Sequence, residues 1–583
     1  PEVDRLWGVP QRADYHPEVD TGTHLLLVLD MAAALGADLP VRVACLLHDL
    51  GKGNTPADVL PRHLGHETRS VQLLRPLCER LRVPTECREL AEVVAREHGN
   101  IHRSGDLGPA ATVRLLERCG AVPHAHDYHF QTFLLEYFPK GTAFGELELP
   151  AVPTDLPQAE VEAFSLDDSS TTEIDDALSV QPLADGGWRV GVHIAAPALA
   201  ILPGSKLDQL VLQRLSTVYF PGNKITMLPQ DVVECFTLQE GRSCPALSMY
   251  IDLNAALEVQ STESRIEAVR IAANLRNEIL ERNFNDEALA SNSDGEYPFK
   301  SELRLLFDFA RKLEAGRGKA DPNRPPQVDY SFQVENDRVI IGKRKRGAPI
   351  DKLVSELMIF VNCAWGGLLA ERNVPGIYRA QSMGRVRMTT SPAPHQGLGV
   401  PQYAWSSSPL RRAVDLLNQR QLIAVLRGEP APYPKGSGEL FAAMRDFDAT
   451  YNAYLEFQDR MERYWCLRWL VQEGIGEIGA VVLRDGSSVR FDGLPFFCRH
   501  VTGLPELAPG RKIRLVLGSI DYLDLEIEVR FAGVAAEAAE VLPEAEDEDY
   551  QAEAADPIAE DEFSATDAAP PAAESATSEP EAV

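Results

Sequence analysis

The chain has 583 residues and a formal net charge of −30, a length that leaves room for three or four domains of about 150 residues each. About half of the negative charge lies in residues 534–583, which contain 16 acidic residues and no Lys or Arg. This acidity excludes a protein that coats nucleic acid through a generally basic surface, because such binding depends on counterion release.

No apolar run approaches the roughly 20 residues that a membrane helix needs. The opening PEVDRLWGVPQ lacks the basic and apolar segments of a signal peptide. The nine cysteines are scattered and form no C-x-x-C pair, which is typical of free thiols in a reducing compartment. We therefore expect a cytoplasmic protein without a membrane anchor and without a disulfide-linked partner.

Residues 1–112 alternate apolar helical patterns, such as THLLLVLDMAAAL and VRVACLLHDLGKG, with short polar breaks, and predict an all-α domain. Within it, imidazole and carboxylate groups of the kind that bind divalent metals occur at His24, the adjacent pair His48-Asp49, His66, His98 and His102, and the ligands assigned from them are His24, His48, Asp49 and His98. A lone histidine is more often a core or surface residue. An adjacent His-Asp pair at the end of an apolar helix, with an earlier histidine, favours a metal site.

The strings YHPEVDTGTH, LLHDLGKG and REHGNIH resemble the C-terminal HD domain of bacterial CCA-adding tRNA nucleotidyltransferases. The resemblance implies metal-dependent phosphohydrolase chemistry at His24, His48 and Asp49. The family pattern ends on an aspartate, and this chain has REHGN there, so the fourth ligand is either His98 or missing. The nucleotidyltransferase head of that family does not precede the segment, and we do not expect CCA addition.

Residues 113–160 read as a helical lead-in followed by a proline-punctuated linker, ELELPAVPTDLPQAEVEA, whose prolines bar a helix. The next stretch, FSLDDSSTTEIDD, carries five carboxylates within ten positions, at Asp167, Asp168, Glu173, Asp175 and Asp176. Neighbouring carboxylates raise one another's pKa unless a cation lies among them, and a hard divalent cation prefers oxygen ligands. The alternative is an exposed acidic loop; the spacing excludes an EF-hand.

The flanks of this acidic stretch predict a sheet. ALSV and WRVGVHIA, joined by the turn ADGG, read as two strands of a hairpin beside the carboxylates. Farther on, SSSPLRRAVDLLNQRQL predicts a helix with Ser408 as N-cap and Pro409 at its first position, which would gather backbone N–H groups and arginines at an anion-binding end. The basic run GKRKRG is either a solvated loop or a contact to the phosphate backbone.

Seven strings in the same order, from DDSSTTEIDDALSV through STVYFPGNKITMLP and VDYSF to SSSPLRR, resemble the catalytic RNB domain of the ribonuclease II family. The resemblance implies Mg²⁺ or Mn²⁺ held by Asp167, Glu173, Asp175 and Asp176, with Arg411 steadying the scissile phosphate. It also implies RNA-binding roles, with base stacking for the two aromatic residues, at Tyr219, Phe332, Lys343, Arg344, Arg346, Arg412 and Arg420. Glu173 stands where the family usually has Asp, and Ala413 where Tyr is common.

The fold class expected is therefore multidomain: an all-α HD-type domain (1–112), the lead-in and linker (113–160), an α+β RNB catalytic domain (161–470), a small all-β OB-like barrel (476–533) and a disordered acidic tail (534–583). The barrel rests on five short alternating runs within residues 476–533. The change from one resemblance to the other, near residues 115–121, fits a gene fusion or a chimeric sequence.

Three functions remain open. The first is processive 3′→5′ hydrolysis of single-stranded RNA to nucleoside 5′-monophosphates, which the RNB resemblance implies. The second is an HD phosphohydrolase acting on 2′,3′-cyclic phosphates or nucleotides, and the third is a noncatalytic RNA-binding protein. The acidic stretch together with Arg411 favours the first over the third, because a scaffold needs neither. The incomplete HD ligand set ranks the second below the first.

Overall fold

The computed structural model describes residues 1–13, 16–103, 107–122, 124–169, 171–291, 295–320, 328–382 and 385–535. The chain divides into two compact units, residues 1–137 and 138–583. The acidic tail predicted to be disordered lies almost wholly outside the described residues.

The first unit is helical, as the sequence predicts. Its helices are α1 Thr21–Ala34, α2 Leu39–Leu47, α3 His66–Leu81, α4 Thr85–His102, α5 Pro109–Arg118 and α6 Ala125–Tyr137. Two of them begin at aspartate N-caps, because Asp20 accepts a hydrogen bond from Thr23 N at 2.8 Å and Asp38 one from Val41 N at 3.1 Å. The core of the unit contains Leu25, Leu47, Leu50, Leu74, Ala91 and Ala95.

The second unit is a mixed α/β structure around a closed five-stranded barrel with neighbours in the order β1-β2-β3-β6-β7. The strands before the C-terminal sheet are β1 Ala163–Asp167, β2 Asp176–Pro182, β3 Trp188–Ala195, β4 Val218–Phe220, β5 Asn223–Ile225, β6 Ser243–Leu253, β7 Val259–Arg276, β8 Val328–Glu335, β9 Arg338–Lys345, β10 Tyr378–Ser382 and β11 Arg385–Thr389. The predicted hairpin is confirmed, because β2 and β3 pair antiparallel along their whole length.

The helices of this unit are α7 Lys206–Arg214, α8 Gln230–Phe236, α9 Asn277–Leu280, α10 Asp286–Ser291, α11 Lys300–Gly316, α12 Pro349–Glu371, α13 Ala413–Arg427 and α14 Gly438–Gln472. One apolar core joins the barrel strands to α11 and α12. Helix α12 is long and apolar enough to cross a membrane, yet most of its apolar window is buried inside the unit, as for a core helix.

The C-terminal part of the unit is a small six-stranded sheet, one strand more than predicted. Its strands are β12 Glu477–Val482, β13 Val489–Phe491, β14 Phe497–Cys498, β15 Val501–Thr502, β16 Lys512–Asp521 and β17 Glu526–Val534. The extra strand is the two-residue β15, which pairs parallel to β17. Such a short pairing leaves no alternation pattern for the sequence to reveal.

Candidate active site

The acidic stretch connects two neighbouring strands of the barrel. Strand β1 ends at Asp167, strand β2 begins at Asp176, and the two pair antiparallel. The acidic residues from the last position of β1 up to the start of β2 are each at most 8% exposed, namely Asp167, Asp168, Glu173 and Asp175. The alternative of an exposed acidic loop is therefore wrong, because charged groups buried in this way need partners or counterions.

Asp175 is held from the distant arginine segment. Its Oδ1 accepts a hydrogen bond from Leu410 N at 2.8 Å, and its Oδ2 lies 3.4 Å from Arg411 Nε. Among the described residues, that Oδ2 forms an ion pair with Arg411 but makes no hydrogen bond. Burial raises the pKa of Asp175 well above its ordinary value, although Arg411 and the Leu410 N–H act against the shift. A buried oxygen in this state suits a cation, which would stabilise the charged carboxylate.

A small cavity of about 30 Å³ opens beside these groups. Asp176 and Arg411 both line it, together with Asn277, Asp351 and Ser408. This volume is close to the share of one water molecule in the liquid. The acidic loop and the arginine segment therefore meet at one polar cavity, although they lie far apart in the sequence.

The two aspartates at the start of the loop have separate partners. Ser165 Oγ donates a hydrogen bond to Asp167, and Asn277 Nδ2 donates one to Asp168 Oδ1 at 3.0 Å. Burial raises the pKa of Asp168, while the Asn277 hydrogen bond lowers it. Asn277 thus contacts Asp168 and also lines the cavity, which ties Asp168 to the same site.

Glu173 faces a different part of the unit. Thr217 Oγ1 donates to its Oε1 at 3.1 Å, while Tyr219 Oη and Lys224 Nζ lie 3.3 and 3.4 Å from its Oε2. Within the part of the chain that the structure describes, no three carboxylates of the loop bring their oxygens within 4.8 Å of one another. Asp167, Asp168, Glu173 and Asp175 each have protein partners of their own. That Asp167, Glu173, Asp175 and Asp176 hold Mg²⁺ or Mn²⁺ stays a prediction.

The arginine segment also differs from the prediction. Helix α13 begins at Ala413 with Arg412 as N-cap residue, not at Pro409. The reason is Asp415, whose Oδ1 accepts from Ser408 N at 2.9 Å and from Arg412 at 2.9 Å, so the chain before the helix folds back on its first turn. The prediction that a helix starts near Ser408 and gathers its N–H groups there is therefore wrong. Of Arg411 and Arg412, only Arg411 lines the cavity.

Two arginines predicted to bind RNA contact protein groups instead. Arg412 is 1% exposed, stacks on Trp405 at 4.1 Å from the ring centroid, and pairs with Asp415. Arg420 is 3% exposed and binds Asp208 at 2.7 Å and the Tyr433 hydroxyl at 2.7 Å. Both are internal charges that need their partners. In this structure neither reaches a surface where RNA could lie.

The other RNA-binding candidates lie in two hairpins. Phe332 in β8 is 5% exposed, so the ring predicted to stack on bases is part of the interior. In the basic run at the end of β9, Arg344 bridges Glu281 and Asp351, and Arg346 pairs with Asp329 at 3.0 Å. Lys343 is exposed, as a phosphate contact would be. Tyr219 in β4 is half-buried against Glu173.

The first unit brings its predicted metal ligands together around Asp49. The two oxygens of this buried carboxylate face different histidines: Oδ2 lies 3.2 Å from His48 Nε2 and 3.9 Å from His24 Nε2, and Oδ1 lies 3.5 Å from His98 Nε2. Burial alone would raise the pKa of Asp49, but the histidines hold it well below its ordinary value. Lys52 Nζ, 2.7 Å from Oδ2, adds a second positive neighbour.

A further histidine, His66, belongs to this cluster and was not among the assigned ligands. Its Nε2 lies 3.4 Å from Asp49 Oδ1 and 3.0 Å from His98 Nε2. The Nδ1 atoms of His66 and His98 lie 2.8 and 3.0 Å from the carbonyl oxygens of His63 and Val94. Carbonyls only accept, so each Nδ1 carries a proton, and a metal at the centre would take the two Nε2 atoms as ligands. The donor set fits a divalent transition metal.

The cluster also shows which signal could have found His66. Its position at the first residue of α3 carries no motif of its own, and only the packing of α3 beside α4 brings it to His98. Sequence reasoning placed the fourth ligand at His98 or nowhere. The structure brings His66 and His98 next to the motif residues His24, His48 and Asp49. Nitrogen ligands therefore stand where the family pattern has its last aspartate.

Family models match part of each unit of the chain. The family model described as the RNB domain matches residues 158–385 and 380–428, and the model described as the HD domain matches residues 21–122. The two matches thus define a protein that joins an HD domain to an RNB domain. More specifically, the chain is an HD–RNB fusion with the RNB domain in its larger unit.

Curated relatives match the HD region alone. The multifunctional CCA protein of Acidovorax sp. (strain JS42) is 78% identical over 122 residues, which is 21% of this chain and 29% of the relative. That of Polaromonas naphthalenivorans (strain CJ2) is 76% identical over 121 residues, with 21% and 28% covered. The chain therefore spans less than a third of the length of the curated relatives it matches.

Two solved structures match more than half of the chain. The apo form of Mycoplasma genitalium RNase R superposes with a TM-score of 0.56 at 14% identity and covers 65% of this chain and 72% of its own. An active-site mutant of the Dss1 exoribonuclease from Candida glabrata reaches a TM-score of 0.63 at 18% identity, covering 88% and 72%. At these identities the likeness shows the fold.

Proposed function

We propose that the RNB unit is a metal-dependent exoribonuclease that hydrolyses single-stranded RNA from the 3′ end to nucleoside 5′-monophosphates. One observation carries the proposal: the Oδ2 atom of buried Asp175 makes no hydrogen bond among the described residues and lies 3.4 Å from Arg411, and Arg411 and Asp176 line one cavity. A carboxylate oxygen in this position could bind a cation next to a phosphate-binding arginine.

In this proposal Asp167, Asp175 and Asp176 hold Mg²⁺ or Mn²⁺. The bound cations would lower the pKa of a water and neutralise the leaving oxygen. Arg411 steadies the scissile phosphate, because a guanidinium makes directed, permanently charged contacts to phosphate oxygens. Tyr219 stacks on a base near the 3′ end. Phe332, Arg412 and Arg420 are left out because they are buried among protein partners.

Other parts of the unit extend the proposed RNA path. Lys343 is an exposed cation on the β8–β9 hairpin, and Phe497 of the C-terminal sheet is 50% exposed. We propose that this six-stranded sheet is an OB-like RNA-binding module, in which an exposed aromatic ring would stack on a base. Mycoplasma genitalium RNase R, a fold relative with a TM-score of 0.56, is solved in complex with ribose-methylated single-stranded RNA. The location we propose is the cytoplasm, in keeping with nine free cysteines.

The proposal is tested with a single-stranded RNA labelled at its 5′ end, incubated with the full chain and Mg²⁺. Progressive shortening of the labelled strand from its 3′ end, with nucleoside 5′-monophosphates as products, is the expected result. Excess EDTA should stop the reaction. Shortening from the 5′ end, internal cuts, or a rate unchanged by EDTA would contradict it.

A second function is favoured by the cluster around Asp49. We propose that the HD unit is a transition-metal-dependent phosphohydrolase for 2′,3′-cyclic phosphates or nucleotides, with the metal held by Asp49, His24, His48 and the His66–His98 pair. The test is hydrolysis of 2′,3′-cyclic AMP with Ni²⁺, Co²⁺ or Mn²⁺. His48→Ala should abolish it, and unchanged hydrolysis in that variant would remove the HD cluster from the reaction.

A further inference from the structure

Glu173 occupies a position of the acidic loop where the family usually has Asp, and the structure connects its side chain to one hairpin. Three donors from residues 217–224 contact it: Thr217 donates to Oε1, and Tyr219 and Lys224 donate to Oε2. Tyr219 and Lys224 are directly paired across β4 and β5. The carboxylate therefore joins the loop to both strands of this small hairpin.

Hydrogen bonds also fix the backbone on both sides of Glu173. Thr237 Oγ1 donates to Thr172 O at 3.0 Å and accepts from Ile174 N at 2.9 Å, which fixes the residues on either side. Lys224 Nζ also donates to Thr172 Oγ1 at 2.8 Å. Both flanks are thus anchored. The side chain of Glu173, one methylene longer than Asp, reaches the hairpin from this fixed position.

Asp175, two residues farther along, provides the contrast. Its partners are Leu410 and Arg411, and its Oδ2 atom forms an ion pair with Arg411 but makes no hydrogen bond among the described residues. Glu173 instead has donors at both oxygens, one of them a lysine ammonium. A cation would have to displace three donors to bind Glu173, whereas it would complete the coordination of Asp175.

We propose that Glu173 is a positioning residue for the RNA 3′ end: it fixes the Tyr219 ring and the Lys224 ammonium and does not hold the metal. The proposal rests on the exoribonuclease function, in which Tyr219 stacks on a base. A ring tethered through its hydroxyl loses less freedom when a base stacks on it, so RNA binds more tightly. Lys224, restrained by Thr172 and Glu173, presents its charge beside that base.

The test separates RNA binding from metal binding. Glu173→Gln, Tyr219→Phe and the double variant are compared for affinity to a 5′-labelled single-stranded RNA by fluorescence anisotropy, with EDTA present to prevent cleavage. Each single variant should weaken binding by about tenfold, the scale of losing a hydrogen bond to a charged group. The double variant should lose little more, because both changes break the same contact.

Mn²⁺ binding, followed by electron paramagnetic resonance of the full chain, is the second measurement. Glu173→Gln should bind Mn²⁺ as the unaltered chain does, while Asp175→Asn, a matched change in the same loop, should bind it at least tenfold more weakly. Equal loss in both variants would make Glu173 a metal ligand and overturn the proposal. Additive losses of RNA affinity would overturn it too, since Glu173 would then act independently of Tyr219.

Two further outcomes distinguish a failure of the Glu173 proposal from a failure of the exoribonuclease proposal. Glu173→Asp retains the charge but is one methylene shorter, so it should weaken RNA binding as Glu173→Gln does; affinity equal to that of the unaltered chain would contradict a tether that depends on reach. If the unaltered chain cleaves no RNA, the exoribonuclease proposal fails. The coupling of Glu173 with Tyr219 and the Mn²⁺ result would still be measured in that case.

Discussion

Asp175 and Arg411 meet with 3.4 Å between Oδ2 and Nε, in the interior of the RNB unit. The contact joins the acidic loop after β1 to the segment before α13, and Leu410 N reinforces it with a hydrogen bond to the other oxygen of Asp175. A buried carboxylate is thereby placed next to a guanidinium that lines the cavity.

Arg411→Lys should lower the single-turnover rate of RNA cleavage by about 10²–10³, the typical loss when one preorganised stabiliser of transition-state charge is removed. Lysine keeps the charge but lacks the directed pair of N–H groups. RNA affinity should change far less, because many phosphate contacts share the binding. Arg427→Lys, the same change at an exposed position of helix α13, serves as control. If RNA affinity and the cleavage rate at low RNA concentration fall by the same factor while the rate at saturating RNA is unchanged, Arg411 only binds the RNA backbone and has no catalytic role.

Asp176→Asn should abolish RNA cleavage and leave RNA binding measurable. The change removes a proposed metal ligand at the cavity and one negative charge near the phosphate, while the volume of the side chain stays almost the same. Cleavage is followed with labelled RNA and Mg²⁺, and binding by anisotropy. A variant that cleaves at the rate of the unaltered chain would exclude Asp176 from the site.

His66→Ala should weaken binding of Co²⁺ or Ni²⁺ to the full chain by at least tenfold. The imidazole supplies one nitrogen of the set around Asp49, and its removal also leaves His98 Nε2 without its 3.0 Å neighbour. Visible absorption of the Co²⁺-loaded chain gives the readout. His126→Ala, outside the cluster, should bind the metal normally. Unchanged Co²⁺ spectra in His66→Ala would confine the centre to His24, His48 and Asp49.

Arg420→Ala should destabilise the RNB unit by about 3–5 kcal/mol, because it leaves Asp208 buried without its cation. Arg420 is 3% and Asp208 4% exposed, and the two lie 2.7 Å apart, so solvent offers little compensation. The melting temperature of the full chain's RNB transition is the measurement. Arg427→Ala, at an exposed position of α13, should shift stability by no more than about 0.5 kcal/mol. Normal stability with weakened RNA binding would restore Arg420 as an RNA contact.

The sequence was sufficient for features that depend on neighbouring residues. The helical periodicity of the HD segment and the β2–β3 hairpin both follow from local patterns, and both are present in the structure. The pair His48-Asp49 and the string ending in Asp175-Asp176 carry their chemistry in consecutive residues. Motif spacing was therefore enough to place both candidate sites.

Only the tertiary structure decided which partner each side chain takes. In the sequence, Arg412 and Arg420 look like phosphate contacts beside Arg411. In the structure, Arg412 contacts Trp405 and Asp415, and Arg420 pairs with Asp208, all inside the unit. His66 joins the metal cluster solely because α3 packs beside α4. Contacts of this kind come from segments far apart in the chain, and their positions depend on packing, which no local pattern encodes. The same residue type can thus bind substrate at one position and stabilise the core at the next.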